Sequence, residues 1–415
     1  MTDLPRTTPT TGSTLGGHGL PALLSSASPP VAPSLTPFSR PAGRRRPRTP
    51  LVVGVIGAVA VIAGLVATQI VASLRFDDAA SRVDAAARTV SAHQSEVDHR
   101  YTALLESTDS GHVILDTGRA TLPVPDEPWA ALTAAVADGE GIGAEVEKTV
   151  ATEQPPSRDK PAWFWELFGT TAQLDDDEQL LQQLADALKT ASSDASDGLD
   201  AVTDSGLSVL AAAGESAVAF EAAHVSARND AIIALRDAAA DATAETVIDD
   251  AAATVYVSLQ DAAAQVVATE AAELAEKDGP LRGARLEVEA FARSLAPGVL
   301  LEFDWAPSVN GAGANGSMGG YTTWWWDEPG RAVIKLSDSV AQQWPAARSK
   351  ALIAHEVGHA ISVKCQGMYD ASTQDSIEKW ATAWAISMGF TDDANGVWAY
   401  GYPPQNYLDA AAGCR

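Results

Sequence analysis

Residues 351–365 read ALIAHEVGHAISVKC and contain two of the seven histidines in the chain, His355 and His359. The small and apolar residues around this pair, with no proline among them, predict a helix over residues 346–364. Side chains four positions apart share one face of a helix, so His355 and His359 can offer two imidazole nitrogens to a single metal ion. The alternative interpretation is a buried helix with two incidental histidines.

Glu356 follows the first histidine directly. A helix turns by about 100° per residue, so Glu356 lies too far round to be a good ligand of the same ion. It can still reach a water molecule bound to that ion, which is the arrangement of the H-E-x-x-H motif. We therefore predict that Glu356 is a general base rather than a ligand.

Zinc hydrolases use a third protein ligand and leave a fourth position open to water. In the metzincin pattern a glycine and a third histidine would stand at positions 362 and 365, where this chain has Ser362 and Cys365. Cys365 as a thiolate ligand is a second candidate, which we disfavour. The third candidate is Glu378, 19 positions after His359 and within a helix predicted over residues 372–388.

With Glu378 in place, the C-terminal sequence resembles the gluzincin class of zinc metallopeptidases. It is similar to small bacterial gluzincins in which the ligand glutamate begins a Glu-x-x-Ala-Asp segment. Here the segment is Glu378-Lys-Trp-Ala381-Thr382, so threonine replaces an aspartate that usually orients a zinc-bound histidine. A hydroxyl group can accept the same imidazole N–H, with weaker polarisation of the ligand.

The resemblance implies a small zincin-like metallopeptidase domain at residues 283–415 that hydrolyses a peptide or protein substrate. It implies Zn²⁺ held by His355, His359 and Glu378, with zinc acting as Lewis acid and as activator of water. Glu356 would take the proton of that water and pass it to the leaving amine. The strand around residues 332–336 would be the edge strand that pairs with an extended peptide.

An oxyanion formed during such a reaction also needs a hydrogen-bond donor. Four tyrosines near the motif are candidates for this role, and the sequence does not choose among them: Tyr369, Tyr400, Tyr402 and Tyr407.

Residues 51–74 form an uninterrupted stretch of 24 residues without a charge, LVVGVIGAVAVIAGLVATQIVASL. About 20 apolar residues are enough for a helix to cross a bilayer. The arginine-rich segment GRRRPRTP lies directly before this stretch, which predicts a cytoplasmic N-terminus and an extracellular C-terminal part. We favour a single retained transmembrane helix over a cleaved signal peptide, because the leader and its apolar core are both too long for cleavage.

The net charge of −26 is distributed unevenly along the chain. Residues 1–50 hold six arginines and one acidic residue, and their Thr, Pro, Ser and Gly content predicts a disordered cytoplasmic tail. The rest of the chain is strongly acidic, which argues against nucleic acid as a partner, since phosphate contacts need clustered Lys and Arg.

Two further regions complete the predicted α+β organisation. Residues 75–282 are rich in alanine and acidic residues with helical periodicity, which we expect Gly198, Gly206 and Gly214 to interrupt, and loops are expected at 111–128 and 153–161. This helical extracellular region could bind a protein partner. Residues 283–415 are predicted to hold a strand at 298–305, a glycine-rich loop, a strand pair within 321–337 and the two helices.

Cys365 and Cys414 are the only cysteines, and outside the cell each has no other partner, so we predict a disulfide between them. Two other functional classes remain beside the peptidase. An intramembrane zinc protease would bury its motif among several spans, whereas one apolar span lies far upstream here. A cell-surface stalk or binding protein with a vestigial zincin domain is the stronger alternative, although a structural zinc would not require Glu356.

Overall fold

The computed structural model describes residues 49–415 apart from Pro329, and it describes side chains from Gly57 onward. The predicted tail at residues 1–50 therefore lies almost wholly outside the described residues. The chain divides into two compact units, Met1–Val66 and Ala67–Arg415. The first helix continues through the boundary between them, and the second unit holds all the other described elements.

Six helices make up the described chain before the sheet. They are α1 (Thr49–Thr117), α2 (Asp126–Val150), α3 (Phe164–Ala223), α4 (Asn229–Ala244), α5 (Asp250–Glu276) and α6 (Arg282–Leu295). Alanine, leucine and valine side chains fill the space between them, as in the cluster around Leu132, Val209 and Tyr256. The predicted helical region is thus a packed bundle, and its helices are longer than the sequence indicated, since the expected loop at 111–128 shrinks to residues 118–125.

Helices α1 and α3 lie side by side and run in the same direction. Their contacts between residues 69 and 100 of α1 join residues that are 93 to 96 positions apart, as in Gln69 with Ala162 just before α3, Arg82 with Asp175, and Arg100 with Ser196. This constant offset fixes which residues of the two helices stand at the same height.

The expectation that three glycines interrupt the helical region was wrong. Gly198, Gly206 and Gly214 all lie inside α3 and are buried. A Cβ atom at Gly198 would press on Ile142, and one at Gly206 would press on Ile248. These glycines allow neighbouring side chains to approach the helix backbone, and this packing outweighs the cost of glycine within a helix.

The C-terminal part begins with a three-stranded sheet: β1 (Leu300–Ala306), β2 (Gly320–Trp324) and β3 (Arg331–Ser337). The strand order is β1-β3-β2, with β1 parallel and β2 antiparallel to β3. The strands agree with the predicted ones, but β3 is central. The edge strand next to the metal-motif helix is therefore β2, and the assignment of residues 332–336 to an edge was wrong.

Five helices follow the sheet: α7 (Asp338–Gln342), α8 (Ala347–Ser362), α9 (Gln374–Ser387), α10 (Val397–Tyr400) and α11 (Gln405–Ala411). Their core with the sheet is built around Phe303, Ile334, Trp380 and Trp384. The described chain is thus mostly helical with one small sheet, which agrees with the predicted α+β class at this coarse level.

The helical bundle contacts the sheet through the start of α4. The backbone N–H of Asn229 donates to Glu302 on β1, and its side-chain amide donates to the carbonyl of Ala332 on β3, each at 2.9 Å. Asp230 pairs with Arg331 at 2.5 Å. These contacts join elements on both sides of residue 282, the predicted domain boundary, within the second compact unit.

Two described helices are long and apolar enough to cross a membrane, Gly57–Thr117 and Phe164–Ala223. The most apolar window of the first is 6% buried, whereas that of the second is 33% buried. This is weak evidence for membrane association, because core helices of soluble proteins pass the same test.

Candidate metal centre

Helix α8 carries the histidine pair and is buried along its second half. His355 and His359 have relative exposures of 6% and 4%, and Glu356 between them has 5%. The edge strand β2 packs on one side of α8 and helix α9 on another. Because α8 is enclosed in this way, each of its polar side chains needs a defined partner.

Helix α9 brings Glu378 to the histidine pair, and a glycine makes this approach possible. Gly358 lies between the two histidines, where a Cβ atom would come within 2.8 Å of the carbonyl oxygen of Ala381 on α9. Only glycine leaves room for the two backbones at this distance. Glu378, one turn before Ala381, is thereby placed against the imidazoles.

Three ligand atoms converge at the centre of this arrangement. Oε2 of Glu378 lies 3.1 Å from Nε2 of His355 and 3.2 Å from Nε2 of His359, and the two nitrogens are 3.2 Å apart. The three atoms therefore form a nearly equilateral triangle, and all three residues are buried.

This donor set fits a zinc ion. Atoms that each lie 2.0–2.1 Å from a tetrahedral zinc are about 3.3 Å apart, close to the observed spacing. Two imidazole nitrogens and one carboxylate oxygen also form a donor set typical of catalytic zinc. The three residues predicted as ligands are thus brought together.

The outer nitrogens of the two imidazoles have different surroundings. Nδ1 of His355 lies 3.4 Å from Oγ1 of Thr382, whose own proton goes to the carbonyl of Glu378 at 2.9 Å. The Thr382 oxygen can therefore accept from Nδ1, which leaves Nε2 of His355 free to bind a metal. Nδ1 of His359 has no hydrogen-bond partner among the described residues, and its ring stacks on Trp324 with centroids 5.3 Å apart.

Glu356 is not part of the triangle of ligand atoms, and its carboxylate is held by strand β2. The hydroxyl of Thr322 donates to its Oε2 at 2.7 Å. Gly320 on the same strand leaves the space that the carboxylate occupies, since a Cβ atom there would overlap it. Burial raises the pKa of Glu356, while nearby His355 and the Thr322 hydrogen bond act to lower it.

Glu378 has the opposite electrostatic setting. Burial acts to raise its pKa, but the contacts with His355 and His359 outweigh burial and lower the pKa well below the usual value for glutamate. Its second oxygen accepts from the side-chain amide of Gln374 at 2.7 Å. The carboxylate is therefore held in its ionised form, the form that binds metals.

A cleft of about 790 Å³ opens onto this group. Its walls include His355 and Glu356 from α8, Gly320 from β2, and Tyr400 from α10. The Tyr400 ring stacks on His355 with centroids 5.8 Å apart. Burial and the charges of Glu378 and Glu356 raise the pKa of Tyr400 to about 12, so its hydroxyl stays protonated at neutral pH.

Among the four tyrosines left open by the sequence, only Tyr400 lines the cleft. Tyr369 stacks on Trp380 with its hydroxyl buried, and Tyr407 contacts Ser376 at 2.5 Å. Tyr402 is 68% exposed and lies outside the cleft walls. The position of Tyr400 in the cleft depends on the course of the chain after α9, which no local sequence pattern predicts.

Thr322 was not identified from the sequence. It lies in the predicted strand pair, between the exposed Tyr321 and the half-buried Thr323, and is itself 3% exposed. Alternation along the strand could have suggested that Thr322 points inward. It could not have shown that Glu356 is the residue it meets.

A disulfide joins Cys365, just beyond α8, to Cys414 near the end of the chain, as predicted. The carbonyl of Cys414 also accepts from the indole N–H of Trp384 on α9 at 3.0 Å. The bridge and this hydrogen bond together attach the final segment next to both helices that carry the candidate ligand residues.

Comparison of the chain with protein-family models, curated proteins and solved structures gives no match.

Proposed function

We propose that this chain is a membrane-anchored, extracellular, zinc-dependent metallopeptidase. The observation that carries the proposal is the combination of two features at one point. His355, His359 and Glu378 converge with the spacing of a zinc site, and the Glu356 carboxylate lies beside them on the wall of an open cleft. A site that served structure alone would need neither the cleft nor this second buried carboxylate.

Zinc bound at this position would polarise a peptide carbonyl and lower the pKa of a water molecule. Glu356 is the proposed general base. The Thr322 hydroxyl holds its Oε2, and its Oε1 has no hydrogen-bond partner among the described residues, so Oε1 is the atom that can accept a proton. It takes a proton from the water and delivers it to the leaving amine. The Tyr400 hydroxyl, protonated and inside the cleft, is the donor for the developing oxyanion.

Strand β2 is the element that would bind the peptide. It is the edge of the sheet on the side of α8, and its first residue, Gly320, lines the cleft. An unpaired strand edge can add an extended segment through backbone hydrogen bonds, which accept many sequences. A peptide substrate is therefore favoured over a small molecule.

Helix α1 is the proposed anchor. Exposed apolar side chains lie along α1 between residues 59 and 74, including Val61 at 63% and Ile62 at 60%. The arginine-rich segment before it favours a cytoplasmic N-terminus, which leaves the cleft outside the cell.

The experiment compares two variants of the full chain, Glu356→Gln and Glu378→Ala. We expect Glu356→Gln to keep its zinc, measured by elemental analysis, and to lose hydrolysis of a diverse peptide library by about 10²–10⁴-fold. Glu378→Ala should instead lose zinc affinity, because two ligands remain. Lys379→Ala, which changes a partly exposed neighbour of the ligand, is the control that should alter neither property.

Two outcomes would count against the proposal. If both variants keep zinc and full activity, the assigned roles are wrong. If the wild-type chain binds zinc and cleaves no peptide, the chain is a zinc-binding surface module instead.

A further inference from the structure

We propose that Trp163, Trp165 and Phe168, here called the aromatic patch, insert into the outer interfacial layer of the lipid bilayer beside α1. This second membrane contact goes beyond the proposed peptidase activity, and it rests on the proposed anchoring of α1 in a membrane.

The aromatic patch is exposed although its side chains are large and apolar. Trp163, Trp165 and Phe168 are 56%, 57% and 42% exposed, and the two indole rings stack on each other at 5.2 Å. Leu167 in the same turn is fully buried against α1. One face of the first turn of α3 therefore packs on α1, while the opposite face exposes the aromatic rings.

The constant offset between α1 and α3 gives the height of the aromatic patch. Gln69 donates to the carbonyl of Ala162 at 3.1 Å, and Arg82 donates to Asp175 at 2.8 Å. Both pairs are 93 positions apart. Residues 163–168, at the start of α3, therefore lie at the same height along the helix axis as about residues 70–75 of α1. These are the last residues of the charge-free stretch 51–74.

The surface of α1 at this height is apolar as well. Ile70, Val71 and Leu74 are 54%, 48% and 63% exposed. Together with the aromatic patch they form an exposed apolar band on the second compact unit. Exposed apolar residues grouped in this way mark an interaction surface rather than ordinary solvent exposure.

The dimensions of a bilayer place this band at its boundary. A helix of 24 residues is about 36 Å long, whereas the hydrocarbon core is about 30 Å thick. The last residues of the stretch therefore reach the headgroup region. Tryptophan is enriched at this depth because its ring is apolar and its N–H is polar.

Charged groups begin just above the band. Lys160 pairs with Asp77 at 2.7 Å, and Arg82 pairs with Asp175 and Glu178. Within the patch itself the exposed Glu166 carries a charge, which suits the headgroup layer and excludes deeper burial in hydrocarbon. The order from apolar to aromatic to charged matches the order from lipid to water.

The test uses the full chain reconstituted in phosphatidylcholine vesicles that contain brominated lipids, which quench tryptophan fluorescence on contact. We expect Trp163→Phe with Trp165→Phe to remove most of the quenching seen in the wild type. Bromine near the headgroup should quench more than bromine at mid-chain. Trp398→Phe is the matched control, because Trp398 is 86% exposed but lies at the cleft, and its loss should leave lipid quenching unchanged.

Extraction of the same vesicles with alkaline carbonate separates the possible failures. If the chain stays in the membrane and the double variant is quenched as strongly as the wild type, the aromatic patch does not touch lipid and the inference is wrong. If the indoles are shielded from lipid and cross-linking joins two copies through the patch, the inference is again wrong. Extraction of the chain by carbonate would overturn both the anchor and this contact, whereas peptide hydrolysis is measured independently of either.

Discussion

The hydroxyl group of Thr322 holds Glu356, the proposed general base, in place. It donates to Oε2 of Glu356 at 2.7 Å and is 3% exposed, so water cannot replace it easily. A buried carboxylate that loses its donor is less stable by about 1–3 kcal/mol. Thr322 therefore holds the Glu356 carboxylate in its observed position.

We predict that Thr322→Val lowers kcat about tenfold or more while zinc content and KM stay near the wild-type values, because the shape is kept and the hydrogen bond is lost. Thr322→Ser restores the donor and should restore kcat. Steady-state kinetics with a zinc determination on each variant tests this. Equal loss of activity in the serine and valine variants would show that Thr322 acts only through packing.

Thr382 has a comparable role on the ligand side. Its oxygen lies 3.4 Å from Nδ1 of His355 and is the only described hydrogen-bond partner of that nitrogen. Groups that hold a metal-bound histidine typically contribute 10- to 100-fold to metal affinity. Because the contact between Thr382 and His355 is long, at 3.4 Å, we expect a contribution to metal affinity near the lower end of this range.

We predict that Thr382→Val weakens zinc affinity by about tenfold, whereas Thr382→Ser retains it. Competition with a chromogenic chelator gives the dissociation constants. A valine variant that binds zinc as tightly as the wild type would show that His355 needs no support from this hydroxyl.

The packing of α8 on α9 brings the candidate ligand residues together, and the sequence predicted both of these helices. Periodicity and turn residues predicted both helices and all three strands within a few residues, because these signals are local. Strand order was not predictable in the same way. β3 lies in the centre since β1 adds to it from a distance of about 30 residues along the chain, and no local pattern records that pairing.

Glycines were the other source of error, and the reason is physical. Glycine is a poor helix former, so Gly198 and Gly206 were expected to interrupt the helical region, but each serves the close approach of a neighbouring side chain. The cost of glycine in a helix is about 1 kcal/mol, which the packing of two helices can offset. Contacts of this kind appear only when both partners are known.

Gly358 offers a direct test of the approach between α8 and α9. We predict that Gly358→Ala destabilises the protein by about 1–3 kcal/mol and weakens zinc binding, because the new methyl group pushes against Ala381 and displaces Glu378. Thermal unfolding and chelator competition measure the two effects. Gly141→Ala in α2 is the control: its Cβ meets open space, so the variant should gain about 0.5–1 kcal/mol.

The disulfide links the stability of the chain to its compartment. Cys365 and Cys414 are 49 positions apart, and closing a loop of this length is worth about 3–4 kcal/mol in the chain-entropy model. We predict that reduction of the wild type lowers its thermal stability, whereas the Cys365→Ala, Cys414→Ala double variant is equally less stable and insensitive to reductant. Two free thiols in protein isolated from cells without reductant would contradict an oxidising location.

The sides of the membrane on which the two ends of the chain lie distinguish one membrane span from two. Both α1 and α3 are long and apolar enough to cross a bilayer, but α3 contributes Val202, Val209 and Leu210 to the core of the bundle. Moving α3 into lipid would expose that core and leave Asp200 and Asp204 beside hydrocarbon, at a cost of several kcal/mol. A single span through α1 keeps the bundle intact and places the two ends of the chain on opposite sides.

We therefore predict that a protease added to intact cells digests an epitope at the C-terminus and spares one placed before Arg44. With two spans, both ends would lie on the same side and both epitopes would be protected or both lost. Permeabilised cells provide the control, since both epitopes should then be cleaved. A protected C-terminus would place the cleft in the cytoplasm, where the Cys365–Cys414 bridge would be reduced and an extracellular peptidase is excluded.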